Sequence, residues 1–182
     1  MARIPSLTRE DLPPEHQDLL QRDIALHRVL ANSPDAARAF GGLGMFIRHR
    51  SRLDPRLREL AILQVGWLAR SPYEWSHHVK IGRGFGVSDA DIAAIATETD
   101  GQESGLEPVA RLVLRGAREI YAGPGMSLAS FDALRAHLDN EGLTDLTVVV
   151  AFYCGVVRLL ATLEVEVEPD YAPYLEQFPL PH

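Results

Sequence analysis

Apolar residues recur along this chain at helical spacing, between breaks made by Ser or Asp before Pro at one end and by Gly at the other. Ser33-Pro34 opens a helix to about Arg48, and Asp54-Pro55 opens another to about Ala69. Ser71-Pro72 opens a third, which Gly86 is placed to end, and Ser88 with Asp91 starts a short helix to about Thr97. Residues 98–105 are polar apart from Gly101 and Gly105 and read as a linker. A helix from about Pro108 to Tyr121 follows, Gly123-Pro124-Gly125 breaks the chain, and Ser127 caps a helix to about Asn140 that Gly142 stops. The segment from about Thr144 to Glu164 is apolar almost all round, through Leu146, Val148, Val149, Val150, Phe152 and Tyr153. Its valines suit a strand, but its length predicts a central or interface helix. From Pro169 to His182 four prolines alternate with Tyr171, Tyr174 and Phe178, which predicts an extended arm over about 168–182, suited to packing on a neighbouring subunit. No strand alternation or internal repeat is visible, so the expectation is an all-α fold, one domain over 1–182.

The length of 182 residues supports one domain with a sizeable core. A net charge of −7 argues against general nucleic-acid binding, which needs clustered Lys and Arg to displace counterions. Arg48, His49, Arg50, Arg52, Arg56 and Arg58 form the one basic stretch, open to two readings: a solvated helix end, or a patch for acidic substrates. Met1 is not followed by an apolar leader, and no window is read as spanning a membrane, so a cytoplasmic location is expected. The single cysteine, Cys154, makes no internal disulfide, in keeping with a reducing compartment. A helix as uniformly apolar as 146–160 needs cover on most sides, which predicts a homo-oligomer, with dimer, trimer and hexamer left open.

Chemistry concentrates in Ser71-Pro72-Tyr73-Glu74-Trp75-Ser76-His77-His78. On a helix from Pro72, Glu74 and His78 are four residues apart and share a face. A carboxylate beside an imidazole favours the imidazolium and makes the pair a tuned acid or base. The plainer reading is that Glu74 closes a capping box with Ser71 and that His78 has an ordinary helical partner. His77 points about a quarter turn away, as a solvent or subunit-contact residue; Tyr73 and Trp75 read as core or pocket wall.

Arg58-Glu59-Leu60, then Tyr73 to Val79, then Gly86-Val87-Ser88 resemble, in order and spacing, the signature of the carboxymuconolactone decarboxylase and alkylhydroperoxidase D-like family, over about residues 40–97. The resemblance implies a helical, oligomeric protein with no required metal or cofactor. In the redox branch of that family a Glu precedes a Cys-x-x-Cys pair and a His four residues later. Those positions fall on Glu59, Ser71, Glu74 and His78 here, so both thiols are missing and thiol peroxidase chemistry is not expected. What remains looks like the decarboxylase branch. It implies His78, Glu59 and Glu74 as catalytic groups, with Tyr73, Trp75, Trp67, Arg58 and His77 around a small carboxylated or lactone substrate. An antiparallel hairpin would bring Glu59 within reach of His78. The other reading is a non-enzymatic oligomeric scaffold that keeps the fold. Cys154, on an apolar helix, is expected to be inert.

Overall fold

A computed structural model describes residues 2–181; His182, the end of the expected arm, lies outside them. The described residues form helices and turns without a strand. Two 3-10 segments, Arg9–Asp11 and Pro14–Leu20, precede nine α-helices: α1 Ala25–Leu30, α2 Pro34–His49, α3 Pro55–Leu68, α4 Pro72–Gly84, α5 Asp89–Thr99, α6 Pro108–Ala122, α7 Leu128–Arg135, α8 Asn140–Leu163 and α9 Ala172–Gln177.

The core is organised around α3, which packs on α4, α5, α6 and α8. Every residue from Leu57 to Gly66 is buried, so its three polar members must find partners inside the protein. Gln64 receives Arg118 at 3.0 Å and donates to Thr99 at 2.9 Å. Arg58 and Glu59 satisfy one another, with Arg58 nitrogens 3.0 and 3.1 Å from Glu59 Oε1. Asp54 caps α3 through the Leu57 amide at 3.0 Å. At the other end Arg70 adopts a left-handed conformation (φ 47°) that turns the chain straight into α4. The two helices then run antiparallel. Gly82 leaves room for Val87 to pack back on α4: a Cβ there would lie a tight 3.2 Å from Val87 Cγ2 and in ordinary contact, 3.5 Å, with Glu59 Cβ on α3.

Several boundaries differ from the sequence expectations. Gly142 does not stop a helix; it lies in the first turn of α8, where its amide donates to the capping Asp139 at 2.8 Å. Helix α7 ends at Arg135, and α5 runs two residues into the expected linker, to Thr99. The extended arm is instead a 3-10 turn, Pro169–Tyr171, followed by α9, which lies on α4 of the same chain. Trp75 Nε1 donates to the Phe178 carbonyl at 2.7 Å and fixes that position.

By length and composition α8 could cross a membrane, against the sequence expectation that no segment could. Here it packs on α3 and α6, with Leu146, Val149 and Val150 wholly enclosed. Its buried Asp145 accepts from Ser51 Oγ and the Arg52 amide, both at 2.8 Å, pinning the start of α8 to the α2–α3 turn.

Candidate active site

The α3–α4 hairpin brings Glu59, Glu74 and His78 into one cluster, each less than 5% exposed. His78 Nδ1 donates to Glu59 Oε2 at 2.7 Å, and His78 Nε2 stands 3.0 Å from Glu74 Oε1. Carboxylate oxygens only accept, so a ring with one on each side is satisfied by carrying both protons. Burial by itself would push the His78 pKa down; the two carboxylates outweigh it and raise the pKa to about 9. Burial likewise opposes the charge on Glu59, yet His78 and Arg58 hold its carboxyl below the ordinary value. With Arg58 and His78 as cations and Glu59 and Glu74 as anions, the cluster balances. Arg58 itself lies under the Phe85 ring, 4.4 Å from its centroid.

Ser71 Oγ accepts from the Glu74 amide at 3.4 Å, so half of the capping box forms. The other half does not, because the Glu74 carboxylate turns toward His78. Glu74 Oε1 is buried and has no hydrogen bond of good geometry, so charge alone holds it.

Glu74 and His78 open onto a cavity of about 550 Å³. Tyr73, His77, Phe40 and Tyr153 supply much of its wall. Tyr153 meets the His78 ring edge-on at 5.0 Å, and burial pushes its phenol pKa well up, so it stays a neutral O–H donor.

The expected substrate-binding residues divide. Tyr73 and His77 line the cavity; Trp75, Trp67 and Arg58 do not. Trp75 and Trp67 pack on each other at 5.3 Å behind the hairpin, and Arg58 is committed to Glu59. That placement also corrects the basic stretch, which is neither one solvated end nor one patch. Arg58 is buried, Arg56 binds Asp91 and Glu107, Arg50 and Arg52 are exposed, and Arg48 faces the cavity. His77 is buried rather than a solvent residue, stacked between Tyr73 and Tyr171 at 4.0 and 3.6 Å. Its Nδ1 donates to the Tyr73 carbonyl at 2.9 Å, and burial lowers its pKa to about 3, which keeps it neutral.

Sequence reasoning passed over Tyr153, Arg22 and His27 as cavity residues, and raised Arg48 only as part of the basic stretch. Tyr153 sits in an apolar run whose periodicity marks it as core, and nothing local signals that it will stand beside His78. Cys154, its neighbour, does not line the cavity, and burial raises its pKa, as suits an unreactive thiol. Among the described residues no group of three or more His, Cys, Asp or Glu is arranged to hold a metal ion.

Residues 34–101 match the model of the Carboxymuconolactone decarboxylase family. None of the curated proteins matches the sequence. Among solved structures, the fold is similar to the alkylhydroperoxidase AhpD core of an uncharacterized peroxidase-related protein from Ralstonia eutropha JMP134, with 21% identity, coverage of 96% of this chain and 95% of that one, and a TM-score of 0.80. It is also similar to the debrominase Bmp8 in complex with 2,3,4-tribromopyrrole, at 18% identity, 97% and 99% coverage and a TM-score of 0.80. An uncharacterized peroxidase-related protein from Silicibacter sp. TM1040 follows at 17% identity, 93% and 92% coverage and a TM-score of 0.78.

Proposed function

We propose that this chain, which residues 34–101 assign to the carboxymuconolactone decarboxylase family, is a lyase or isomerase that moves a proton on a small carboxylated or lactone metabolite. The observation that carries this reading is an imidazole between two carboxylates, at the wall of a cavity large enough for such a molecule. With its pKa near 9, His78 rests as the imidazolium at neutral pH and serves as the general acid. Glu74 faces both His78 and the cavity, so its carboxylate accepts a proton from substrate or passes one from His78. Glu59, oriented by Arg58, fixes the ring. Tyr153 donates a hydrogen bond to the enolate-like oxygen that decarboxylation or proton abstraction creates. No step calls on a thiol, in keeping with Ser71 and Glu74 at the positions where the redox branch has cysteines.

The cavity favours an enzyme over a scaffold, because a scaffold needs no ligand-sized space beside His78. The test is a panel of small lactones and β-keto acids assayed for decarboxylation or isomerisation with the wild type and His78→Ala. Turnover is expected to fall at least about 100-fold in the variant, with helicity unchanged by circular dichroism. Equal turnover in the two proteins removes His78 from the reaction.

A further inference from the structure

The cavity carries a charge that the proton-handling cluster does not use. Four basic side chains besides His77 and His78 line it: Arg22, Arg38, Arg48 and His27. Arg38 is consumed by Asp18, with Nη2 2.9 Å from Asp18 Oδ1, and by the Glu15 carbonyl at 3.0 Å. Burial and the neighbouring Arg22 push the His27 pKa down, with a smaller push from Arg48, so His27 is neutral at pH 7. Arg22 and Arg48 remain, half-buried, and neither makes an ion pair or side-chain hydrogen bond among the described residues. The anions on the wall are both answered, Asp18 by Arg38 and Glu74 by His78. The lining therefore holds two guanidinium groups without a direct partner, in a chain whose net charge is −7, while Glu168, behind the lining, meets the neutral His77 at 3.2 Å.

We propose that Arg22 and Arg48 form an anion-binding subsite that takes the carboxylate of an organic acid, with the apolar body of the same molecule lying against Phe40, Phe152 and Tyr153. Guanidinium groups pair with carboxylates through parallel N–H donors, and they do so most strongly where water is partly excluded. The cavity lining as a whole is largely apolar, with Phe40, Phe152, Tyr73 and Tyr153 in it, which suits a carbon skeleton and not a free inorganic anion. Arg22 stands just ahead of α1 and Arg48 near the end of α2, and both lie near enough to His27 to lower its pKa, which places two separate elements around one part of the cavity. The inference rests on the proposed proton chemistry only in saying which end reacts: the carboxylate is held at the arginines and the remainder faces Glu74 and His78.

Titration calorimetry of benzoate, benzamide and inorganic phosphate against the full chain, at low and moderate salt, tests the subsite. Benzoate is expected to bind with an affinity that falls as salt is added, while benzamide, equal in shape but neutral, binds at least about tenfold more weakly. Arg22→Gln and Arg48→Gln should each weaken benzoate about tenfold or more, and Arg50→Gln, at an exposed arginine outside the cavity, should leave benzoate affinity within about threefold of wild type. Unchanged benzoate affinity in Arg22→Gln/Arg48→Gln overturns the subsite, as does phosphate binding more tightly than benzoate. Benzoate lost in His78→Gln but kept in the arginine variants would place the anion on the imidazolium instead. None of these readings depends on turnover, so failure of the proton-transfer assay leaves the subsite standing, and the reverse also holds.

Discussion

Glu59 and His78, nineteen positions apart, meet at 2.7 Å because Arg70 turns the chain within a few residues and sets α3 and α4 side by side as a close hairpin. The contact turns a titratable ring into a fixed cation and makes folding pH-dependent.

The dependence has a definite sign. The folded-state pKa of His78, about 9, lies above its ordinary 6.5, so the ring contributes stability fully below about pH 6.5 and loses it as pH rises through 9. Glu59, with its pKa lowered, contributes above its ordinary value of 4.5 and loses that contribution as pH falls further. The His78 shift, the net of both carboxylates against burial, is worth on the order of 3 kcal/mol. Urea midpoints measured between pH 5 and 10 should stay level to about pH 6.5 and then decline. The His78 ring proton, followed by NMR, should titrate well above 7, and at a lower pH in Glu74→Gln. A ring titrating at or below 6.5 in the wild type contradicts the imidazolium.

A thiol placed at position 74 should feel the same field. In Ser71→Cys/Glu74→Cys the second thiol sits in the first turn of α4 with His78 four residues on, and both the helix N-terminus and the imidazolium favour the thiolate. Its pKa, read from thiolate absorbance, is expected at least about one unit below the ordinary 8.5. Adding His78→Asn should remove most of that shift. A thiol with an ordinary pKa in both backgrounds would show that His78 exerts no useful charge on the atom at position 74.

The C-terminal segment should behave as part of the hairpin's packing. Removing residues 169–182 takes away the Phe178 carbonyl that accepts from Trp75 Nε1 and uncovers α4. In a Trp67→Phe background, which leaves Trp75 as the emitter, truncation should red-shift fluorescence and cost at least about 1 kcal/mol in denaturant titration. Emission that does not move would mean that the indole stays covered without the segment.

What the chain's local chemistry determined is where helices begin and which residues share a helix face. Asp54, Ser71, Ser88 and Ser127 each cap a backbone amide in their own first turn, and Ser33 precedes Pro34 at the first helical position, so these starts are set locally. Glu74 and His78 were legible as a pair for the same reason, since four residues along a helix is a fixed geometry. Glu59 entered the site through family spacing, and a short turn made its approach to His78 calculable. The ends of helices were less legible. Gly142 signals a stop and a close first-turn approach equally well, and Asp139 decided between them by capping.

Tertiary packing decided the rest. Arg58 and Trp75 carry the same helical pattern as Tyr73, but only the fold turned the first two into the hairpin and the last into the cavity. Tyr153 and Arg22 reach His78 and the cavity from opposite ends of the chain, through contacts that no local spacing encodes. The prolines of the tail predicted an extended path, and burial of Trp75 under Phe178 replaced it with a short helix on α4. Capping and turns cost and gain their energy within a few residues, so sequence expresses them directly. Burial and charge pairing are settled between segments distant along the chain, so they become visible only when the whole chain is folded.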